Sequence, residues 1–141
     1  MVRANIRGKT ILFLCEDNAC LSLMAEAIGK RLLPPKTQIF SAGLVPQRID
    51  SRMVEAMRQR GIDIVTGSKG LDVIPVESID LVVTLGTLSH PVFPSRTRSN
   101  HWPVSDPRTE PGDTLDSFGR TIDEINNRVA GLFLDYWRNI V

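Results

Sequence analysis

The sequence predicts an α/β fold in which helices pack around a parallel sheet, and three observations carry that expectation. Residues 11–15, ILFLC, form a continuous apolar run, as a strand buried on both faces requires. A helical pattern follows within a few residues, with Met24, Ala27, Ile28 and Leu32 at helical spacing over 22–33. The alternation of strand and helix then repeats along the chain, the pattern of a sheet covered by crossover helices. Pro34 and Pro35 stop the first helix. Residues 38–42 read as a second strand closed by Gly43. Asp50 is placed to cap a helix running to about Arg60, with Gly61 ending it. Residues 81–85 are a third buried strand, and 101–104 a fourth. The longest helical pattern runs from about Thr114 to Asn139, with Ile122, Ile125, Val129, Leu132, Phe133 and Trp137 as its apolar face.

The bulk numbers narrow the function classes. The chain has 141 residues, 42% hydrophobic and 23% charged, enough for one domain (1–141) with its own core. A formal net charge of +1 gives no long-range field for a nucleic acid or an anionic membrane surface, so neither is an expected partner. No apolar run approaches the roughly 20 residues that span a bilayer. The N-terminal apolar segment is too short for a secretory signal, and two cysteines do not make a disulfide framework. A cytoplasmic protein without a cofactor is the expectation.

In folds of this class, ligands bind beyond the carboxyl ends of the strands. The segment to read closely is therefore Cys15-Glu16-Asp17-Asn18-Ala19-Cys20-Leu21-Ser22, between the first strand and the first helix. Such a turn aims several backbone N–H groups at one point, and the helix dipole adds partial positive charge there. A cysteine at its start could attack phosphorus as a thiolate. Taken alone, Cys15 could equally be a small residue ending a buried strand.

The surrounding motifs decide between these. ILFLCEDNACLSLMAEAI at 11–28 resembles the signature of the low-molecular-weight tyrosine phosphatase and arsenate reductase family: a strand, C-x5-R-[S/T], then a helix with M-A-E-A. SAG at 41–43, MVEAMRQRGID at 53–63 and HWPVSDP at 101–107 resemble later segments of that family, in order. The resemblance implies a three-layer sandwich around a four-stranded parallel sheet. It also implies roles. Cys15 matches the nucleophile, and Ser22 the hydroxyl that donates to it. Asn18, supported by Ser41, matches the asparagine that holds the strained loop. Asp106 matches the general acid. Glu16, Asp17, Ala19, Cys20 and Leu21 complete the ligand-binding loop, and Cys20 matches a second cysteine able to form a reversible disulfide with the nucleophile.

The pattern breaks at one position. The family's arginine falls at residue 21, and this chain has Leu21. A planar guanidinium grips two oxygens of a transferring phosphoryl group, and leucine offers no donor. Asp17 stands where glycine is usual, and Glu16 adds a second carboxylate. With the lost arginine, the loop is more negative by up to three charges. An oxyanion or phosphorylated ligand is the expected occupant, weakened by Leu21. Residues 44–48 and 108–113 hold no aromatic side chain to sandwich a phosphotyrosine ring, and 84–91 hold no cysteine for an internal three-thiol relay.

The leading expectation is a catalytically impaired family member with a binding or regulatory role. The alternative is a weak phosphatase or arsenate reductase using Cys15 and Asp106, with Arg108 or Arg48 as a substitute cation. On ordinary burial grounds both arginines read first as solvated surface side chains. A further alternative is redox sensing through Cys15 and Cys20. Cys15, Glu16, Asp17 and Cys20 lack a recognised metal-ligand spacing, so no metal is expected. His90 and His101 read as ordinary loop and strand residues, and Asp123, Glu124 and Arg128 as a solvated face.

Overall fold

The computed structural model describes residues 9–88, 93–109 and 115–138, the last three of these without their side chains. Four strands form one sheet: β1 (Thr10–Cys15), β2 (Gln38–Gly43), β3 (Leu81–Leu85) and β4 (Arg98–Trp102). All neighbours are parallel, in the order β2-β1-β3-β4. The central place of β1 explains its unbroken apolar sequence, because both of its faces are covered. Ile11 and Phe13 face the packed helices, joining Met24, Ile28, Phe118, Ile122 and Ile125. Leu12 and Leu14, one residue out of phase, face the other side with Val82, Ile74 and Ile79.

The helical layer consists of α1 (Leu21–Leu32), α2 (Ser51–Gln59) and α3 (Leu115–Arg138), with α1 and α2 both packed on α3. The opposite face is covered by a thinner layer that includes two short 3-10 turns, Leu71–Val73 and Val76–Ser78. α1 and α3 bury apolar stripes. Glu26, a carboxylate only 3% exposed, lies on the buried side of α1. Asp50 caps α2 as expected, accepting from the N–H groups of Arg52 (2.8 Å) and Met53 (3.4 Å).

Most boundaries fall within a residue of the expectation, and β4 does not. It spans Arg98–Trp102 instead of 101–104. As an edge strand it exposes four of its five residues, so RSNH has no apolar pattern to betray it. Its place is set by pairing with β3, Leu81 opposite Arg98 and Leu85 opposite Trp102. The expected helix ends at Thr114 and Asn139 lie outside the described residues, as do His90 and the side chain of Trp137. No helix among the described residues is long and apolar enough to cross a membrane.

Candidate functional site

The register β2-β1-β3 brings the ends of three strands together. Cys15 lies opposite Gly43 in the register, and Leu85 ends β3 on the other side. The loop after β1, the turn at Gly86 and the segment after β4 enclose a cavity of about 500 Å³. Cys15, Glu16, Asp17 and Leu21 line one side, and Leu85, Gly86, His101, Val104, Asp106 and Arg108 the other.

β2 sets the position of the loop through backbone contact. Leu44, Val45 and Gln47 donate their N–H groups to the carbonyls of Cys15, Glu16 and Asp17. At Gly43 a Cβ would stand 2.5 Å from the Asn18 nitrogen and 2.6 Å from the Asp17 carbonyl carbon. Only glycine permits so close an approach of two backbones.

Within the loop Asn18 adopts a left-handed conformation, φ 50°. Asparagine tolerates this region better than most residues, and here its side chain is fully engaged. Its Nδ2 donates to Ser22 Oγ (2.7 Å) and Ser41 Oγ (3.1 Å), and its Oδ1 accepts from the Lys69 N–H (2.8 Å). Ser22 Oγ lies 2.9 Å from Cys15 Sγ. The Ser22 hydroxyl can donate to the sulfur while its oxygen accepts from Asn18. Ser41 passes its own hydrogen to Glu26 Oε1 (2.5 Å), which also accepts from Thr66 (3.1 Å). Lys30 (2.9 Å) and Lys69 (3.7 Å) neutralise Glu26. Burial raises the Glu26 pKa most, yet the Ser41 and Lys30 hydrogen bonds and the two lysine charges outweigh it, leaving the carboxyl below its ordinary value.

Asp106 and Arg108 form the far wall. Arg108 forks onto Asp106, its Nε 3.0 and 3.1 Å from the two carboxylate oxygens and one terminal nitrogen 2.6 Å from Oδ2. Its other terminal nitrogen reaches across the cavity to Asp17 Oδ2 at 2.9 Å. Arg108 is therefore no solvated surface side chain: it is 23% exposed and belongs to the site. The reason is the short turn at Pro107–Thr109, which curls residue 108 back over Asp106. Hydrogen bonds to Asp106 hold the guanidinium more firmly protonated than an ordinary arginine, against the opposing effect of burial and with help from Asp17. Arg48 remains exposed.

Leu21 fills the first turn of α1, 4% exposed, beside Gly86. Glu16 is exposed, whereas Asp17 is half-buried and pairs with Arg108. Ala19 is buried, and its N–H donates to Asp17 Oδ1 (3.1 Å). Cys20 occupies the N-cap position of α1. Burial, the largest influence, pushes its thiol well above the ordinary value. Both cysteines are free thiols. Among the described residues no group of three His, Cys, Asp or Glu side chains could hold a metal ion.

The model of the family described as low molecular weight phosphotyrosine protein phosphatase matches residues 10–139. The chain belongs to that family. It is 35% identical over 125 residues to arsenate reductase 2 of Staphylococcus haemolyticus (strain JCSC1435), covering 86% of this chain and 93% of that protein. An arsenate reductase of Bacillus cereus (strain ATCC 14579) is 38% identical over 125 residues, with 86% and 91% covered. A solved structure of an arsenate reductase in the phosphate binding state gives a TM-score of 0.79 at 27% identity, covering 91% of this chain and 98% of its own.

The structure joins Cys15, Ser22, Asn18 and Ser41 in one chain of hydrogen bonds and places Asp106 on the opposite wall of the cavity. Glu26, Thr66, Lys69 and the tight packing at Gly43 were given no role by sequence reasoning. A charged residue on the buried side of α1 was the available signal for Glu26. Lys69 and Thr66 carry no motif, and only the path of the chain after α2 brings them here.

Proposed function

We propose that this chain is a low-molecular-weight phosphatase-family protein whose anion-binding loop is kept but whose phosphoryl transfer is impaired, leaving oxyanion binding or regulation as its role. The observation that supports this most is the use of Arg108, the one lysine or arginine lining the cavity among the described residues. Its guanidinium is taken up by Asp106 and Asp17 and presents no free fork to a ligand. Losing one preorganised donor to a developing oxyanion typically costs ~100- to 1,000-fold in turnover, and a charged bidentate group at least as much.

The proximity of Arg108 also supports a second reading, a weak enzyme in which the guanidinium exchanges a carboxylate for substrate. In the phosphatase form, Cys15 Sγ would form a bond to phosphorus as the ester P–O bond breaks, and Asp106 would protonate the departing alkoxide. Water would then attack phosphorus, breaking the S–P bond and giving a proton to Asp106 as phosphate leaves. In either step Ser22 would donate to the sulfur. Arsenate reduction would need two electrons from two thiols. With Cys20 buried and its pKa raised, the second would come from an external thiol.

Hydrolysis of a small aryl phosphate by the wild type, Leu21→Arg and Cys15→Ser/Leu21→Arg tests these readings. Impairment at residue 21 requires an inert wild type, activity in Leu21→Arg, and its loss in the double variant. Wild-type turnover that disappears in Cys15→Ser would establish the enzyme reading instead.

A further inference from the structure

The loop residue Asp17 occupies a peculiar position. Its backbone is clamped from two directions, the carbonyl accepting from the Gln47 N–H (3.0 Å) and the Ser68 hydroxyl (3.3 Å). A Cβ at Gly43 would stand 2.6 Å from the Asp17 carbonyl carbon, so the two backbones run close together here. With the backbone held, the side chain pairs across the cavity. There it gathers three partners. Oδ1 accepts from the Ala19 N–H (3.1 Å) and lies 3.8 Å from the Cys15 sulfur, whose thiol hydrogen it can accept. Oδ2 takes the Arg108 guanidinium at 2.9 Å.

A nucleophilic sulfur, a loop amide and a guanidinium are what an oxyanion at this loop would itself require. A carboxylate, like phosphate, offers anionic oxygens to a guanidinium, and Asp17 takes the one terminal nitrogen of Arg108 that is not on Asp106. Leu21 leaves the loop without its own arginine, and Arg108 reaches over from the opposite wall. The cation meets a carboxylate belonging to the chain before it can meet a ligand.

We infer that Asp17 is a tethered oxyanion surrogate: its carboxylate holds the ligand place at the loop, and a tetrahedral oxyanion such as phosphate enters only when the Arg108–Asp17 pair opens. This rests on the reading of the loop as an oxyanion site and adds how that site is closed. A covalently attached competitor lowers apparent affinity by the fraction of molecules in which it has swung out. Removing its charge also ends direct repulsion of the incoming anion. In the Asp17 variants Arg108 is expected to keep its pair with Asp106, and the terminal nitrogen that Asp17 held becomes available to a ligand.

The test is binding of inorganic phosphate, measured by calorimetry on wild type, Asp17→Asn, Asp17→Gly, Asp17→Gly/Arg108→Leu and Leu21→Arg, each checked for a cooperative thermal transition. Asp17→Asn keeps the acceptor for Ala19 and loses only the charge, which guards against a misfolded glycine variant. Both Asp17 variants are expected to bind phosphate about ten-fold or more tightly than the wild type. The gain is expected to vanish in the double variant. If Leu21→Arg binds phosphate and the Asp17 variants match the wild type, the surrogate is refuted while the oxyanion site stands. If no folded variant binds phosphate, the site reading fails and takes this inference with it. A gain that survives Arg108→Leu would overturn the part assigned to Arg108.

Discussion

Leu21 and Gly86 face each other so closely that a Cβ at residue 86 would stand 2.9 Å from Leu21 Cδ1. Gly86 has φ +75°, and its N–H donates to the Trp102 carbonyl at 3.1 Å, tying the end of β3 to β4. The position where the phosphatase family carries arginine is thus part of an apolar wall that leans on the turn after β3. Leucine there is accommodated by the fold and packed into the cluster that also holds Cys15 and Leu85.

Gly86→Ala is expected to destabilise the protein by about 1–3 kcal/mol, from a left-handed backbone that alanine disfavours and from contact with Leu21. Urea unfolding would read this as a lower midpoint at unchanged slope. In Gly86→Ala/Leu21→Ala the steric part is relieved and the backbone part remains. An unchanged midpoint in the single variant would show that neither constraint holds.

Glu26 carries the expected acid sensitivity. Its folded pKa lies below the ordinary value of 4.5, so ionised Glu26 stabilises the fold above that pH. That contribution is lost as pH falls from about 4.5 through the lower folded value. Glu26→Gln should therefore lower the thermal midpoint near neutral pH by leaving Lys30 and Lys69 without their partner. The gap from the wild type should narrow as pH falls below 4.5 and wild-type Glu26 takes up its proton. A gap independent of pH would show that the loss is one of shape and not of charge.

The two thiols are expected to behave differently. Both are buried, but Cys15 lines the cavity with 3% of its surface exposed, whereas Cys20 is 0% exposed with a raised pKa. A disulfide-exchange reagent should label one thiol in the native protein and two after denaturation. In Cys15→Ser the native reaction should fall to the rate of global opening, because reaction follows both thiolate population and access. Rapid native labelling of Cys20 in that variant would revive redox sensing through the pair.

Much of this arrangement was legible in the chain. The apolar run of β1, the Asp50 cap and the apolar stripe of α3 each express a short-range pattern, and the structure follows them closely. The motifs around Cys15, Asn18, Ser41 and Asp106 were legible for another reason. Cys15 ends β1, Asn18 follows it in the loop, Ser41 lies in the neighbouring β2 and Asp106 follows β4, so the parallel order of the sheet gathers them at one edge. β4 was displaced by three residues because an edge strand buries too little to leave a pattern. Lys69 and Thr66 stayed hidden because nothing local marks a residue in irregular chain that folds back onto a helix.

The sequence by itself determined that this loop has a cysteine, a serine and an asparagine at the spacing of the phosphatase family, and that residue 21 carries no guanidinium. Those are matters of side-chain chemistry, and no fold can alter them. Only the tertiary structure decided what happens to the charges left behind. Glu16 stays exposed while Asp17, its carbonyl held by Gln47 and Ser68, pairs across the cavity. Arg108, read from sequence as a solvated side chain, crosses the cavity to meet it. A pair 91 positions apart in the chain is joined by the register of a parallel sheet, and Coulomb attraction acts on that distance in space rather than on separation in sequence.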